Sequence, residues 1–354
     1  MELNSLLDVL VSKQGSDIHI IPEYFPTIRV GGELFQLSTM SKVTAEMSEK
    51  MLLSSLNNEQ RDIFLTNREL DFATTYNNNR FRVNLYYAKG VICGSFRLIP
   101  STIKTIEELN LPAILKQSVD MRQGLVLLTG PTGEGKSTTL ASIINNINNK
   151  YARHIITIED PIEYVYPISK SVVSQRELHQ DTHSWTLSLK SALREDPDVI
   201  LVGEMRDFDT VSLVLTAAET GHLVFSTLHT NSAPETIDRI IDSFPPHQQS
   251  QIRNQLATVL KMVVSQRLLP RLNGTDRIPA TEILINNSAI AATIREGKAY
   301  LINNIIETSE SEGQLLFEKS LLSLYQAGFI TKESAFSYAI RPKELEKFIK
   351  IKLG

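Results

Sequence analysis

Gly124-Leu125-Val126-Leu127-Leu128-Thr129-Gly130-Pro131-Thr132-Gly133-Glu134-Gly135-Lys136-Ser137 is the stretch whose reading decides the fold. Its second half fits G-x-x-x-x-G-K-[ST], the phosphate-binding loop. Its first half is a short apolar run of the kind a buried strand uses, and Leu140, Ile143 and Ile144 follow at helical spacing. Strand, glycine loop and helix in succession are the context this motif requires. The glycines let backbone N–H groups turn onto the β- and γ-phosphates at the positive end of the helix dipole. Lys136 is expected to reach those phosphate oxygens, and the Ser137 hydroxyl to ligate Mg²⁺. Gly130, Pro131, Thr132, Gly133, Glu134, Gly135 and Thr138 complete the expected binding set. A bare glycine turn would leave most of these eight matched positions unexplained, so the expected ligand is a nucleoside triphosphate, ATP with Mg²⁺.

Working outward, short apolar segments at 125–129, 154–158, 199–202 and 223–227 alternate with helical patterns. That alternation implies an α/β unit with a parallel sheet covered by helices. The preceding hundred residues read differently. Leu3, Leu6, Leu7, Leu10 and Val11 form a helical stripe, residues 17–20 and 27–30 alternate as strands, and Gly31-Gly32 is a tight turn. Residues 41–56 read as a helix with Thr44 as N-cap, and 71–73, 80–87 and 91–99 as strands, with Asn77-Asn78-Asn79 turning between the first two. Lacking βαβ alternation, this part is expected to be a small α+β domain over 1–99. Residues 100–112 read as a connector holding a short helix at 106–109, and 113–354 as the second domain. From about 245 helices are expected at 247–266, 287–296, 314–326, 331–340 and 342–352, interrupted by a strand-like segment at 280–284.

A chain of 354 residues suggests two domains, and a net charge of -4 argues against a protein dominated by nucleic-acid contacts. The single Cys93 excludes an internal disulfide and suits a reducing compartment. No apolar run approaches membrane-spanning length, and Met1-Glu2-Leu3-Asn4 lacks a basic region and a cleavage site. A cytoplasmic location is expected.

Three further stretches carry chemistry. Asp198-Val199-Ile200-Leu201-Val202-Gly203-Glu204 is a buried strand ending in an acid. Most phosphate-loop enzymes place an Asp at this strand end to help hold Mg²⁺. Here Gly203 stands there and Glu204 follows, so Glu204 is the candidate catalytic base and a candidate metal contact. Arg153-His154-Ile155-Ile156-Thr157-Ile158-Glu159-Asp160-Pro161-Ile162-Glu163 is a second such strand, from which Asp160 or Glu163 could orient water or Mg²⁺. Thr220-Gly221-His222 to Leu228-His229-Thr230-Asn231 puts one histidine at each end of a strand, and polar residues at a strand end beside a nucleotide can sense the γ-phosphate. Neither histidine has the spacing of a zinc ligand. Arg80, Arg82 and Arg97 lie on strands of the first domain. They are either a charged sheet face or arginine fingers offered to a neighbouring subunit's nucleotide.

Glycine loop, acid box ITIEDPIE, acidic strand LREDPDVILVGEMRD and histidine box TGHLVFSTLHTNSA, in that order, resemble the secretion ATPase superfamily, the motors of type IV pili and of type II and IV secretion. The match runs from about Gly15-Ser16-Asp17-Ile18-His19 to the C-terminus. Within the superfamily the chain looks most like the type IV pilus retraction ATPases (PilT-type). It lacks the additional N-terminal domain and the four-cysteine site common in extension and secretion ATPases, and Ser265-Gln266-Arg267-Leu268-Leu269-Pro270 looks retraction-like. The resemblance implies a PAS-like α+β domain joined to a RecA-like P-loop ATPase domain with a helical C-terminal region, assembled as a homohexamer. It implies Lys136 and Ser137 on nucleotide and Mg²⁺, Glu204 as catalytic acid, Glu163 in the acid box, and His222 and His229 in the histidine box. It also implies work on an inner-membrane pilus platform protein at the cytoplasmic face of that membrane. Retraction ATPases typically carry an AIRNLIRE-like segment. Here Ala289-Ile290-Ala291-Ala292-Thr293-Ile294-Arg295-Glu296 keeps the frame and the final Ile-Arg-Glu without the internal Arg and Asn, which fits a divergent system such as a bundle-forming or plasmid-encoded pilus. The rival expectations are an extension or secretion ATPase, a low-activity accessory subunit and a RecA-like nucleic-acid motor.

Overall fold

Alternating polar and apolar residues build the first of two sheets. The computed structural model describes residues 2–99, 102–274 and 276–353, with 351–353 described by their backbone alone, so expectations touching Met1, Pro100 and Ser101 lie outside the described residues. Strands β1 (Asp17–Ile20), β2 (Thr27–Val30), β3 (Glu33–Gln36), β4 (Glu69–Tyr76), β5 (Asn79–Ala88) and β6 (Val91–Ile99) pair antiparallel in the order β3-β2-β1-β6-β5-β4. Asp17 stands opposite both Arg29 and Arg97, and Arg97 opposite Arg82. One residue along, Ile18 stands opposite Ile28 and Phe96, and Phe96 opposite Val83. Because side chains alternate along a strand, this register puts charge on one face and an apolar row on the other. Leu6, Leu7 and Leu10 of α1 (Leu3–Ser12), Leu52 of α2 (Ala45–Leu53) and Phe64 of α3 (Asn58–Asn67) join the apolar row in one core.

The helix expected over 41–56 is shorter. The Thr44 side chain accepts from the Met47 N–H, which starts α2 at Ala45. The unexpected α3 has a weak apolar stripe, burying only Gln60 and Phe64, and is secured by an Asn57/Gln60 capping box. This unit takes in the chain as far as Thr102, together with Asp160–Val165 and Glu177–Asp181.

The second unit is built on a seven-stranded sheet. Its strands are β7 (Gly124–Thr129), β8 (His154–Glu159), β9 (Val172–Glu177), β10 (Val199–Val202), β11 (Leu223–Leu228), β12 (Leu260–Pro270) and β13 (Arg277–Ile285), in the order β13-β12-β7-β11-β10-β8-β9. Pairings from β12 through β7, β11 and β10 to β8 are parallel, and β13 runs antiparallel to β12. All residues of β7, β10 and β11 are buried, as continuous apolar runs covered on both faces require. The helices are α4 (Lys116–Asp120), α5 (Lys136–Lys150), α6 (Trp185–Ala192), α7 (Phe208–Glu219), α8 (Ala233–Asp242), α9 (Pro246–Val259), α10 (Ser288–Arg295), α11 (Ile302–Thr308), α12 (Phe317–Gln326), α13 (Lys332–Tyr338) and α14 (Pro342–Leu353).

Two expectations are corrected here. The helix expected over 247–266 ends at Val259, and Leu260 onward is the strand β12. Leu260, Met262, Val263 and Val264 are fully buried between β7 and β13, and such an apolar run is compatible with either element until a pairing partner is known. Residues 106–109 form a hydrogen-bonded turn closed by Asn110 at positive φ, and the connector's helical pieces are instead a 3₁₀ turn at Ala113–Leu115 and α4.

The C-terminal helices are tied to β13 by buried charge. Arg341 donates to Glu318 from Nη2 (2.6 Å), Nε (3.2 Å) and its backbone N–H (2.8 Å), and its Nη2 stands 3.7 Å from the Glu282 carboxylate. Burial pushes the Glu282 carboxyl up to about 7, against the pull of the Ala233 N–H and Arg341. The native chain therefore holds this proton between 4.5 and about 7, where the unfolded chain has released it, and stability falls as pH rises through that window. Glu282→Gln should remove that part of the slope, so urea denaturation from about pH 5 to pH 8 should show the variant gaining stability relative to the parent as pH rises. Parallel pH curves for the two proteins would reject the buried proton.

Candidate functional site

In a parallel sheet every strand delivers its carboxyl end to the same edge, where ligands of open α/β sheets bind. The glycine loop follows β7 at that edge, Glu204 follows β10 and His229 follows β11. The loop is seated against β12. Gly130 has φ +140°, and a Cβ there would lie 2.3 Å from the Gln266 carbonyl oxygen, so only glycine permits this approach. Thr129 at the end of β7 donates to Ser265 Oγ (2.8 Å), and the Thr139 hydroxyl donates to Gln266 Oε1 (2.9 Å). Gln266 Nε2 donates to the Glu134 carbonyl (2.6 Å), and the Glu134 carboxylate accepts from the Leu268 N–H.

Lys136 opens α5 with a buried side chain whose Nζ donates to the carbonyls of Gly130 (2.6 Å) and Pro131 (2.8 Å). An ammonium held this way is a positive charge lodged inside the loop. Ser137 is exposed on the first turn of α5. Glu204 is bracketed by Arg206 and His229: Oε2 accepts from Arg206 Nε (2.9 Å) and Oε1 lies 3.3 Å from His229 Nε2. The other ring nitrogen of His229, Nδ1, is 3.4 Å from the Thr132 hydroxyl of the loop. Imidazole thus links the candidate base to the phosphate cradle. The donor set fits a nucleotide-borne Mg²⁺, which binds through few protein oxygens and keeps its waters and phosphates. Among the described residues no group of three or more His, Cys, Asp or Glu could cage a metal by itself.

His222 is not brought to this edge. It precedes the amino end of β11, about 20 Å of strand from His229. Its Nδ1 lies 3.0 Å from the Ala217 carbonyl near the end of α7 and 3.2 Å from the Thr220 hydroxyl. His222 and the glycine loop therefore stand at opposite edges of the sheet, because a strand carries its two ends to opposite edges.

The arginines and residues 160–163 of the acid box belong to the first unit, whereas residues 156–159 lie on β8 of the second. Glu163 Oε1 accepts from Arg82 Nη1 (3.1 Å), and Arg82 Nη2 also pairs with Asp71 (2.6 Å). Arg80 is committed to the buried Glu177 (2.6 Å) and the Ile162 carbonyl (2.9 Å). Arg97 donates to Asp17 (2.8 Å) while its side chain stays 68% exposed, the most accessible of the three. Burial pushes the Asp17 carboxyl up, but hydrogen bonds from Arg97 and Ser16 outweigh it and hold the group below its ordinary range.

Gln266 and the connector were missing from the sequence-based site. A cavity of about 370 Å³ beside the loop is lined by Leu109 and Leu111 of the connector with Gly135, Thr138, Gln266 and Leu268. Its size and partly apolar lining suit a nucleoside next to the phosphate cradle. No local motif announced Gln266 or the connector residues, and Gln266 reaches the loop only because β12 pairs with β7.

Residues 3–319 match the family described as type II/IV secretion system protein. The chain is 48% identical over 311 residues to a twitching motility protein of Neisseria gonorrhoeae, covering 88% of this chain and 83% of that one. It is 42% identical over 344 residues to the type IV pilus retraction ATPase PilT of Pseudomonas aeruginosa, covering 97% and 99%. A crystal structure of the pilus retraction motor PilT with bound ADP superposes with a TM-score of 0.91 at 42% identity, over 98% of this chain and 99% of that one. With a P-loop, an acid-tipped strand and a histidine assembled at one sheet edge, and with similarity along nearly its whole length, the chain belongs to the type II/IV secretion system protein family.

Proposed function

We propose that the chain is the ATP-hydrolysing subunit of a type IV pilus retraction motor. It works as a homohexamer on an inner-membrane platform protein at the cytoplasmic face, and removes pilin subunits from the fibre. The observation that carries the chemistry is the Glu204–His229–Thr132 connection beside a loop whose lysine is held by its own carbonyls. Full-length similarity to retraction ATPases supports the direction of work.

When nucleotide enters, Lys136 exchanges the Gly130 and Pro131 carbonyls for β- and γ-phosphate oxygens, a stronger charge-assisted pairing. Loop N–H groups and the α5 N-terminus hold the phosphates, and Ser137 would hold an accompanying Mg²⁺, which would supply positive charge to the phosphoryl group. Glu204 receives a proton from the water that attacks the γ-phosphate, while His229 keeps the carboxylate oriented and relates its position to Thr132. Arg97 and Arg82, released from Asp17 and from Asp71 and Glu163, reach the nucleotide of an adjacent subunit and stabilise transition-state charge. Among the described residues no helix is long and apolar enough to cross a membrane, so attachment there falls to the platform partner.

Glu204→Gln should lower ATP turnover by about 10²–10⁴-fold while nucleotide affinity holds, read by phosphate release and equilibrium binding. Cells carrying it should bear long, static pili. Near-normal turnover would remove Glu204 from the chemistry, and loss of pili would point to an extension motor. For the trans arginine, Arg97→Ala and Glu204→Gln proteins should each be inactive alone, and mixed rings should recover part of the turnover. Recovery requires a site that takes its base from one chain and its arginine from the next, and no recovery at any mixing ratio would exclude Arg97 as that group.

A further inference from the structure

We infer that Gln266 is a positioning residue for the phosphate cradle: its side-chain amide sets the orientation of the Glu134–Gly135 peptide and so aims the Gly135 N–H at the phosphates. The inference rests on the nucleotide reading above and adds a residue that belongs to no phosphate-loop motif. Gln266 lies on β12, 2% exposed, and both ends of its amide are engaged. A carbonyl can only accept, so Nε2 must face the Glu134 oxygen and Oε1 must face the Thr139 hydroxyl. This assignment leaves no freedom for a flipped amide.

The consequence follows from peptide geometry. The Glu134–Gly135 bond is trans, so its C=O and N–H point in opposite directions. With the carbonyl pinned to β12, the Gly135 N–H must point away from β12. Arg277 Nη1 donates to the Gly133 carbonyl (3.2 Å), which orients the Glu134 N–H by the same logic. The Gln266 backbone also bounds the loop at its start, through the contact that only Gly130 allows. One residue of a neighbouring strand thus touches the cradle at Gly130, Glu134 and Thr139. Gln266 also lines the cavity beside the loop.

Gln266→Glu tests this with little change of shape. The new carboxylate still accepts from Thr139 but cannot donate to the Glu134 carbonyl. In the full chain, calorimetric titration with ADP and with AMP should show the preference for ADP falling by about tenfold, the worth of one well-aimed hydrogen bond to a charged group. AMP lacks the phosphate that these N–H groups address, so its affinity should change much less. Lowering the pH enough to protonate the new carboxyl group should return part of the ADP preference. Thr139→Val, which removes only the hydroxyl that orients the amide, should shift the ratio the same way by a smaller factor and serves if the first variant folds poorly. ADP and AMP weakening in parallel would mean a general structural role and overturn the proposal, as would an unchanged preference in both variants. A parent protein without ADP preference would sink the nucleotide reading itself, and this inference with it.

Discussion

Parallel pairing of β7 between β11 and β12 is the constraint on which the rest of the molecule depends. It delivers the glycine loop, Glu204 and His229 to one edge, though β10 and β11 are separated from β7 in sequence by dozens of residues. It also places Ser265 and Gln266 beside Thr129 and Thr139, giving the loop a polar wall to lean on. Both faces of β7, β10 and β11 are closed to water, so a slipped register would have to repack buried side chains on both sides of the sheet. The geometry of the site is therefore as stable as the core beneath it.

A second set of constraints is electrostatic. Glu318 is fully buried and paired with Arg341, which precedes α14, so α12 and α14 cannot separate without leaving a charge unpaired in the interior. Glu282 accepts from the Ala233 N–H at the start of α8, the helix that follows the histidine-containing loop. Arg267 on β12 donates to Asn231 in that loop and to the Tyr338 carbonyl of α13. Side chains of the C-terminal region thus hold the segment from His229 to Ala233 in place by chemistry remote from the phosphates. In α10 the buried residues are Ile290, Thr293 and Ile294, which leaves Arg295 and the following Glu296 on the surface.

The first unit uses charge in the opposite way. Arg29, Arg82 and Arg97 line one face of its sheet at cross-strand positions, where like charges repel unless acids intervene. Asp17, Asp71 and Glu163 supply that compensation, the last from a segment that follows β8. These pairs are partly exposed and individually weak. Arg80, whose partner Glu177 is nearly fully buried, is committed to structure.

The local part of this description was legible in the chain itself. The G-x-x-x-x-G-K-S loop, the strands around it, the Asn77–Asn79 turn and the Thr44 cap depend on residues within a few positions of one another, so spacing and turn chemistry suffice to read them. The resemblance to secretion ATPases rested on four such local boxes. What depends on distant pairing was not legible. Residues 260–266 could have been helix or strand until β7 and β13 were available as neighbours. His222 and His229 looked equivalent until the strand between them separated them by its own length. Gln266 carries no motif, because its role comes from the peptide it touches across the sheet. Sequence determined which chemistry the chain carries, since phosphate binding needs particular residue types at fixed short spacing. Tertiary structure decided which residues share the site, since only strand pairing converts sequence separations of a hundred residues into hydrogen-bond distances.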